Sequence, residues 1–135
     1  VRMRQYCENA LTVAKFLESS DKIASVRYPA LPGNEHYERA QKYLPMGTSG
    51  VMSIDIKGGR APAMKFMDSL KLACNEVHVA DIRTCVLHPA SETHRQLTDE
   101  QLVAAGIEPG MVRISVGLEN VEDIIADLEQ ALNQI

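Results

Sequence analysis

The sequence predicts an α+β two-layer sandwich, a small sheet with helices on one face. Three observations carry that expectation. Residues 51–57 and 111–116 alternate apolar and polar side chains, as strands with a single buried face do. Helical patterns open the chain, close it and alternate with the strands between. No repeat, linker or low-complexity tract interrupts residues 1–135, so the whole reads as one domain.

Each element has its own justification. Met3, Tyr6, Cys7, Ala10, Val13, Ala14 and Leu17 recur at spacings of three and four, predicting a first helix to about Ser19. A short strand follows over Ile23–Tyr28 and stops at Pro29. A turn then leads into a helix of two to three turns, with Asn34 as its cap and Pro45 beyond its end. In 51–57, Met52, Ile54 and Ile56 share one face, and Ser53, Asp55 and Lys57 the other. Gly58 and Gly59 end that strand. Pro62 falls in the first turn of the next helix, where its missing N–H costs little. That helix is expected to bury Met64, Phe66 or Met67, and Leu70. Residues 73–83 read as irregular and Thr84–Leu87 as a short strand. Thr98 and Gln101 form a capping box for a short helix that Gly106 terminates. After the strand at 111–116, Asn120 caps a final helix that buries Val121, Ile124, Ile125, Leu128, Leu132 and Ile135.

Composition removes several function classes. A net charge of −4 argues against a nucleic-acid footprint, which needs a concentrated basic face. No apolar run approaches the ~20 residues of a membrane span, and no signal-peptide pattern is present. Cys7, Cys74 and Cys85 are odd in number and lie in apolar surroundings, as buried free thiols of a cytoplasmic protein do. Cys74, His78, Asp81, Cys85, His88 and His94 offer metal-ligand types without a pre-organised spacing, so no metal site is expected. Cys85 and His88, three apart at a strand, point to opposite faces and do not form a nucleophile–base pair. His88, next to Pro89, reads as a buried histidine fixing a turn, with His94 in a similar role beside Thr93.

Arg113 is the candidate functional residue. Alternation places Val112, Ile114 and Val116 on the apolar face of the last strand, and Met111, Arg113 and Ser115 on the opposite one. A guanidinium on a rigid strand is well placed to grip a carboxylate or phosphate with two parallel hydrogen bonds. The same geometry equally describes an ordinary solvated arginine on a half-buried strand.

Longer motifs separate these readings. The segments "HPASETHRQLTDEQLVAAGIEPG" (88–110) and "MVRISVGLENVEDIIADLEQAL" (111–132) resemble the C-terminal signature of the pyridoxal-phosphate-dependent Cys/Met-metabolism enzymes. The resemblance continues through "YPALP" (28–32), "LPMGTSGVMSIDIKGG" (44–59) and "KFMDSLKL" (65–72), covering essentially the whole chain. It implies the C-terminal domain of a fold-type I enzyme, a largely antiparallel sheet with helices on its outer side. The segment 96–113 is similar to the O-acetylhomoserine sulfhydrylase branch. That branch converts O-acetylhomoserine plus sulfide or a thiol to homocysteine or methionine by γ-replacement. The γ-lyases and cystathionine enzymes are the neighbouring alternatives.

The resemblance also assigns roles. Arg113 is implied to bind the substrate's α-carboxylate, helped by the loop containing His78 and Val79. At 78–81 the family usually carries Ser-Leu-Gly-Gly or Asn-Val-Gly-Asp, whereas this chain has His78, Val79, Ala80 and Asp81. His78 adds bulk and a titratable ring. Ala80 either forbids a positive φ that glycine permits or shows that none is required. Family members attach pyridoxal phosphate to a lysine of a large N-terminal domain, in a Ser-x-x-Lys-like sequence. Lys15, Lys22, Lys42, Lys57, Lys65 and Lys71 have no such context, and no glycine-rich phosphate cradle is present. Val1 already lies inside a helical pattern. The chain is therefore expected to be a C-terminal small domain, inactive alone, whose partners are the missing N-terminal domain and an amino-acid substrate. The intact enzyme would be a tetramer. Rival readings are a stand-alone carboxylate-binding module, or a structural piece that associates through its uncovered sheet face.

Overall fold

The computed structural model describes all residues, Val1–Ile135. Helix α1 (Arg2–Glu18) leads into β1 (Ile23–Arg27), the short α2 (Tyr37–Tyr43), β2 (Val51–Ile56) and α3 (Arg60–Ser69). Next come β3 (Cys74–Asn75), β4 (Cys85–Leu87), α4 (Asp99–Ala104), β5 (Met111–Ser115) and α5 (Val121–Leu132). The five strands form one sheet in the order β1-β2-β5-β4-β3. Every neighbouring pair is antiparallel except β3 with β4. This is the predicted α+β architecture, with β5 at its centre.

Pairing fixes which side chains share a face. Met52 pairs with Ile114 and Ile114 with Val86, while Ile54 pairs with Val112. These residues join Val13, Ala14 and Leu17 of α1, Ala63 and Phe66 of α3, and Ile124 and Leu128 of α5 in one buried cluster. Burying each large apolar side chain contributes about 1.5–3 kcal/mol, so the sheet's position under the three long helices is strongly specified. The opposite face carries a polar row. Arg27 pairs with Ser53, Ser53 with Arg113, and Arg113 with Leu87.

Several local expectations are corrected. Asn34 does not cap α2; its side chain accepts the His36 N–H at 2.9 Å, and His36 takes the N-cap position. The asparagine thus closes a turn one step before the helix begins. Met64 is exposed, because α3 starts at Arg60 and turns Ala63, Phe66 and Met67 inward instead. Met3 is exposed too, one turn ahead of the first position that meets the core. The stretch 73–83 is not wholly irregular: Cys74 and Asn75 form the parallel edge strand. The capping box at Thr98 is present in both directions, and Gly106 has the positive φ of a helix stop, 77°. Asn120 caps α5 as expected.

Candidate functional site

Arg113 occupies the middle of β5, flanked by hydrogen-bonded strands on both sides. Its side chain rises from the polar face towards the loop 76–83, which connects β3 to β4. One guanidinium nitrogen, Nη2, donates to the Val77 carbonyl at 2.7 Å and the His78 carbonyl at 3.3 Å. Nε is buried and has no hydrogen-bond partner. No carboxylate pairs with this guanidinium, although Arg4, Arg27, Arg60 and Arg83 all have acidic partners. An unpaired N–H on a charged, part-buried group is costly unless something fills it. The arrangement is a cation fixed in orientation with donor capacity left over.

The loop is fastened above the sheet at several points. Ala80 N–H donates to Ser115 Oγ at 3.1 Å, and the Tyr6 hydroxyl donates to the Ala80 carbonyl at 3.1 Å. Ala80 has φ 57°, so the positive angle that glycine favours is required here, and an alanine adopts it. Arg83 bridges the loop's base, reaching Glu76 at 3.0 Å and Asp81 at 3.2 Å. Hydrogen bonds from the Arg83 side chain and backbone hold the Asp81 carboxyl well below its usual range. Glu119 closes the far end by accepting from Thr84 N–H at 2.6 Å and the Thr84 hydroxyl at 3.0 Å.

His78 is brought to Arg113 through its backbone alone. Its Nδ1 turns instead to Glu76 at 2.9 Å and Asp81 at 3.6 Å. Val79 lies in the same loop with its side chain exposed. Glu76, Asp81 and Cys85 offer ligand atoms within 4.8 Å of one another, but Arg83 already satisfies both carboxylates. Cys85 does not meet His88. The histidine is fully buried, with Nδ1 2.8 Å from Ser91 Oγ and Nε2 2.9 Å from the Pro109 carbonyl. This is the predicted turn-fixing role. His94 sits in an exposed turn, its Nδ1 2.9 Å from Thr93 Oγ1. Ser115 and Tyr6, which anchor the loop at Ala80, are the positions that sequence reasoning did not connect to it. Alternation had set Ser115 beside Arg113, which was the available signal; the reach of Tyr6 from α1 had none.

The lysines of the chain are spread over other parts of the fold. Lys22 Nζ donates to the Ile135 carbonyl and Lys57 Nζ to the Asp21 carbonyl. Lys15 and Lys65 lie in helices α1 and α3, Lys42 in α2, and Lys71 just past α3. None reaches the Arg113 site. No helix is long and apolar enough to cross a membrane.

Comparison with known proteins supplies the wider frame. Residues 1–133 match the family described as Cys/Met metabolism PLP-dependent enzyme. The chain is 45% identical to an O-acetyl-L-homoserine sulfhydrylase of Leptospira meyeri, over 100% of this chain and 31% of that protein. It is 43% identical to an L-methionine gamma-lyase of Porphyromonas gingivalis, over 100% of this chain and 34% of that protein. A crystal structure from Campylobacter jejuni, described as an O-acetylhomoserine (thiol)-lyase with a pyridoxyl-lysine phosphate, superposes with a TM-score of 0.89 at 38% identity. It covers 98% of this chain, which spans 31% of that one. The chain thus spans about a third of the length of these relatives. With a family match along nearly its whole length and an α+β sheet that superposes on an enzyme of that kind, the chain belongs to the Cys/Met-metabolism PLP-dependent enzymes.

Proposed function

We propose that this chain is the C-terminal substrate-binding domain of an O-acetylhomoserine sulfhydrylase, in which Arg113 binds the α-carboxylate of the amino-acid substrate. The observation that carries the reading is the Arg113 guanidinium itself. It is fixed through Nη2 by two loop carbonyls and lacks an acidic partner, so its charge and remaining Nη donors are left to meet a carboxylate. A carboxylate is the planar acceptor that fits such a fork.

In the intact enzyme, Arg113 holds one end of the substrate and thereby orients Cα. The loop 76–83 sets the guanidinium's direction and leaves little room for water around Nε. That is positioning catalysis, where displacement by about 1 Å costs roughly 10²-fold. Pyridoxal phosphate, supplied outside these residues in the family, provides the electron sink for the reaction at Cα. His78 and Val79 line the approach, with His78 in place of the serine or asparagine usual in the family. The odd cysteine count supports a cytoplasmic setting, and a tetramer is the assembly that the family resemblance implies.

Arg113→Ala in the enzyme carrying this chain is expected to raise KM and lower kcat/KM for O-acetylhomoserine with sulfide by ~10²-fold or more. Arg113→Lys keeps the charge but loses the fork, and recovers only part of the loss. An unchanged kcat/KM in Arg113→Ala removes Arg113 from the site. The γ-lyase reading uses the same clamp, so it is separated by substrate: thiol release from methionine favours it. A stand-alone carboxylate-binding module is separated by binding. It requires the 135-residue chain to bind free amino acids without cofactor, seen as a shift of the Arg113 Nε–H resonance.

A further inference from the structure

We propose that Cys74 and Cys85 are a redox modification site, joined by a reversible cross-strand disulfide under attack by a hydroperoxide. The two cysteines are register partners on β3 and β4. Backbone hydrogen bonds fix that register, Cys74 N–H to the Thr84 carbonyl at 2.9 Å and Glu76 N–H to the Val86 carbonyl at 3.0 Å. Neighbouring strands lie about 4.8 Å apart, inside the roughly 4.4–6.8 Å between Cα atoms that a disulfide spans. Register partners also point to the same face, so both thiols lie on the polar side beneath Arg83. The Arg83 Nη1 is 3.9 Å from Cys74 Sγ, and the Arg83 carbonyl is 3.5 Å from Cys85 Sγ.

The two thiols differ in a way that orders the chemistry. Cys74 is part-exposed and Cys85 fully buried. Burial, reinforced by Asp81 and Glu76, pushes the Cys85 thiol up, leaving it a poor target for an oxidant in solution. Cys74 therefore reacts first. Its sulfur attacks hydrogen peroxide, the O–O bond breaks, an S–O bond forms, and water leaves. The Cys85 sulfur then attacks the Cys74 sulfur; the S–O bond breaks as the S–S bond forms, and the released hydroxide takes the Cys85 proton as a second water. Peroxide gains two electrons and the thiol pair loses two. In a reducing compartment such a bond is transient, the usual form of a redox-sensing disulfide.

The bond would close the loop 75–84 at its root, the loop whose Val77 and His78 carbonyls hold Arg113. This consequence for the site rests on the carboxylate-clamp reading; the disulfide does not. The test treats the purified chain with equimolar hydrogen peroxide, alkylates it, and maps its peptides without reduction. The expected result is a mass loss of two hydrogens and one cross-linked peptide joining Cys74 to Cys85. A thiol reductant reverses it, and Cys7 on α1 stays alkylated throughout. In Cys85→Ser, Cys74 accumulates as a sulfenic acid captured by dimedone. Over-oxidation of Cys74 to sulfinic acid while Cys85 remains alkylatable overturns the proposal, as does a disulfide that includes Cys7. The readouts on unmutated protein do not depend on the variant folding. In the intact enzyme, a disulfide that forms without changing KM for the amino-acid substrate leaves the modification site standing and removes its link to the clamp.

Discussion

At the scale of single residues, the site rests on a backbone angle as much as on a side chain. Ala80 is held at φ 57° by hydrogen bonds at both its N–H and its carbonyl. An L-residue there costs about 1–2 kcal/mol; glycine avoids this but loses about 0.5–1 kcal/mol of unfolded-state advantage. Ala80→Gly is therefore expected to stabilise the fold by roughly 0.5–1 kcal/mol, read as a higher urea midpoint at unchanged slope. A lower midpoint would mean that the methyl group makes a contact worth more than the strain. Much of this site was legible before folding was considered. Alternation put Arg113 and Ser115 on one face, and the departure at 78–81 marked the loop. The acceptors of Arg113 were not legible, because they are the carbonyls of Val77 and His78, and a carbonyl has no residue type. The direction of the His78 ring was hidden for a related reason. Glu76 and Asp81 become its neighbours only once the loop closes.

Among elements, one buried carboxylate joins a helix to the chain that follows another. Asp127 on α5 is 6% exposed. Its carboxylate accepts the N–H groups of Lys71, Leu72 and Ala73 at 2.8, 2.9 and 2.8 Å, just after α3 ends. Gln130 donates to the same carboxylate at 3.1 Å and to the Ser69 carbonyl at 2.7 Å. These bonds aim the segment that becomes β3, and so set the lower edge of the loop over Arg113. Asp127→Ala strands three backbone donors and should destabilise by about 3 kcal/mol; Asp127→Asn keeps an acceptor and should lose less. Chemical denaturation checks both, and a loss below about 0.5 kcal/mol for alanine would show that water replaces the carboxylate. The long elements were readable because their apolar periodicity is set by the core they meet, as in 51–57 and 121–132. Asp127 was not, since an aspartate in a helix reads as solvated surface until its partners, some 55 residues away, are known. Met64 failed for want of phase: an error of one residue, about 100° around the helix, moves the buried stripe from Met64 to Ala63 and Met67.

Across the whole molecule, His88 ties together segments distant in the chain. It leaves the end of β4, binds Ser91 in the following turn, and binds the Pro109 carbonyl just ahead of β5. Arg60 at the start of α3 donates to the Ala90 carbonyl and pairs with Asp99 of α4 at 2.7 Å, gathering the same region from the other side. Burial pushes the His88 imidazole below the usual value near 6.5, and the Arg60 charge adds to the effect against the opposing Pro109 bond. The unfolded chain therefore binds this proton more readily than the folded one. Stability from a neutral His88 is complete above about pH 6.5 and is lost as pH falls through that value towards the lower folded pKa. The Asp81 carboxyl, also held low, is ionised throughout that window, and its contribution fades only below about pH 4. The two effects separate along the pH axis. Thermal unfolding from pH ~7 to ~5 should show Tm falling with acid, with a flatter slope in His88→Gln, which cannot take up the proton. If both proteins lose Tm equally over that range, the loss does not come from His88. Burial of His88 would then have a structural consequence but no proton linkage.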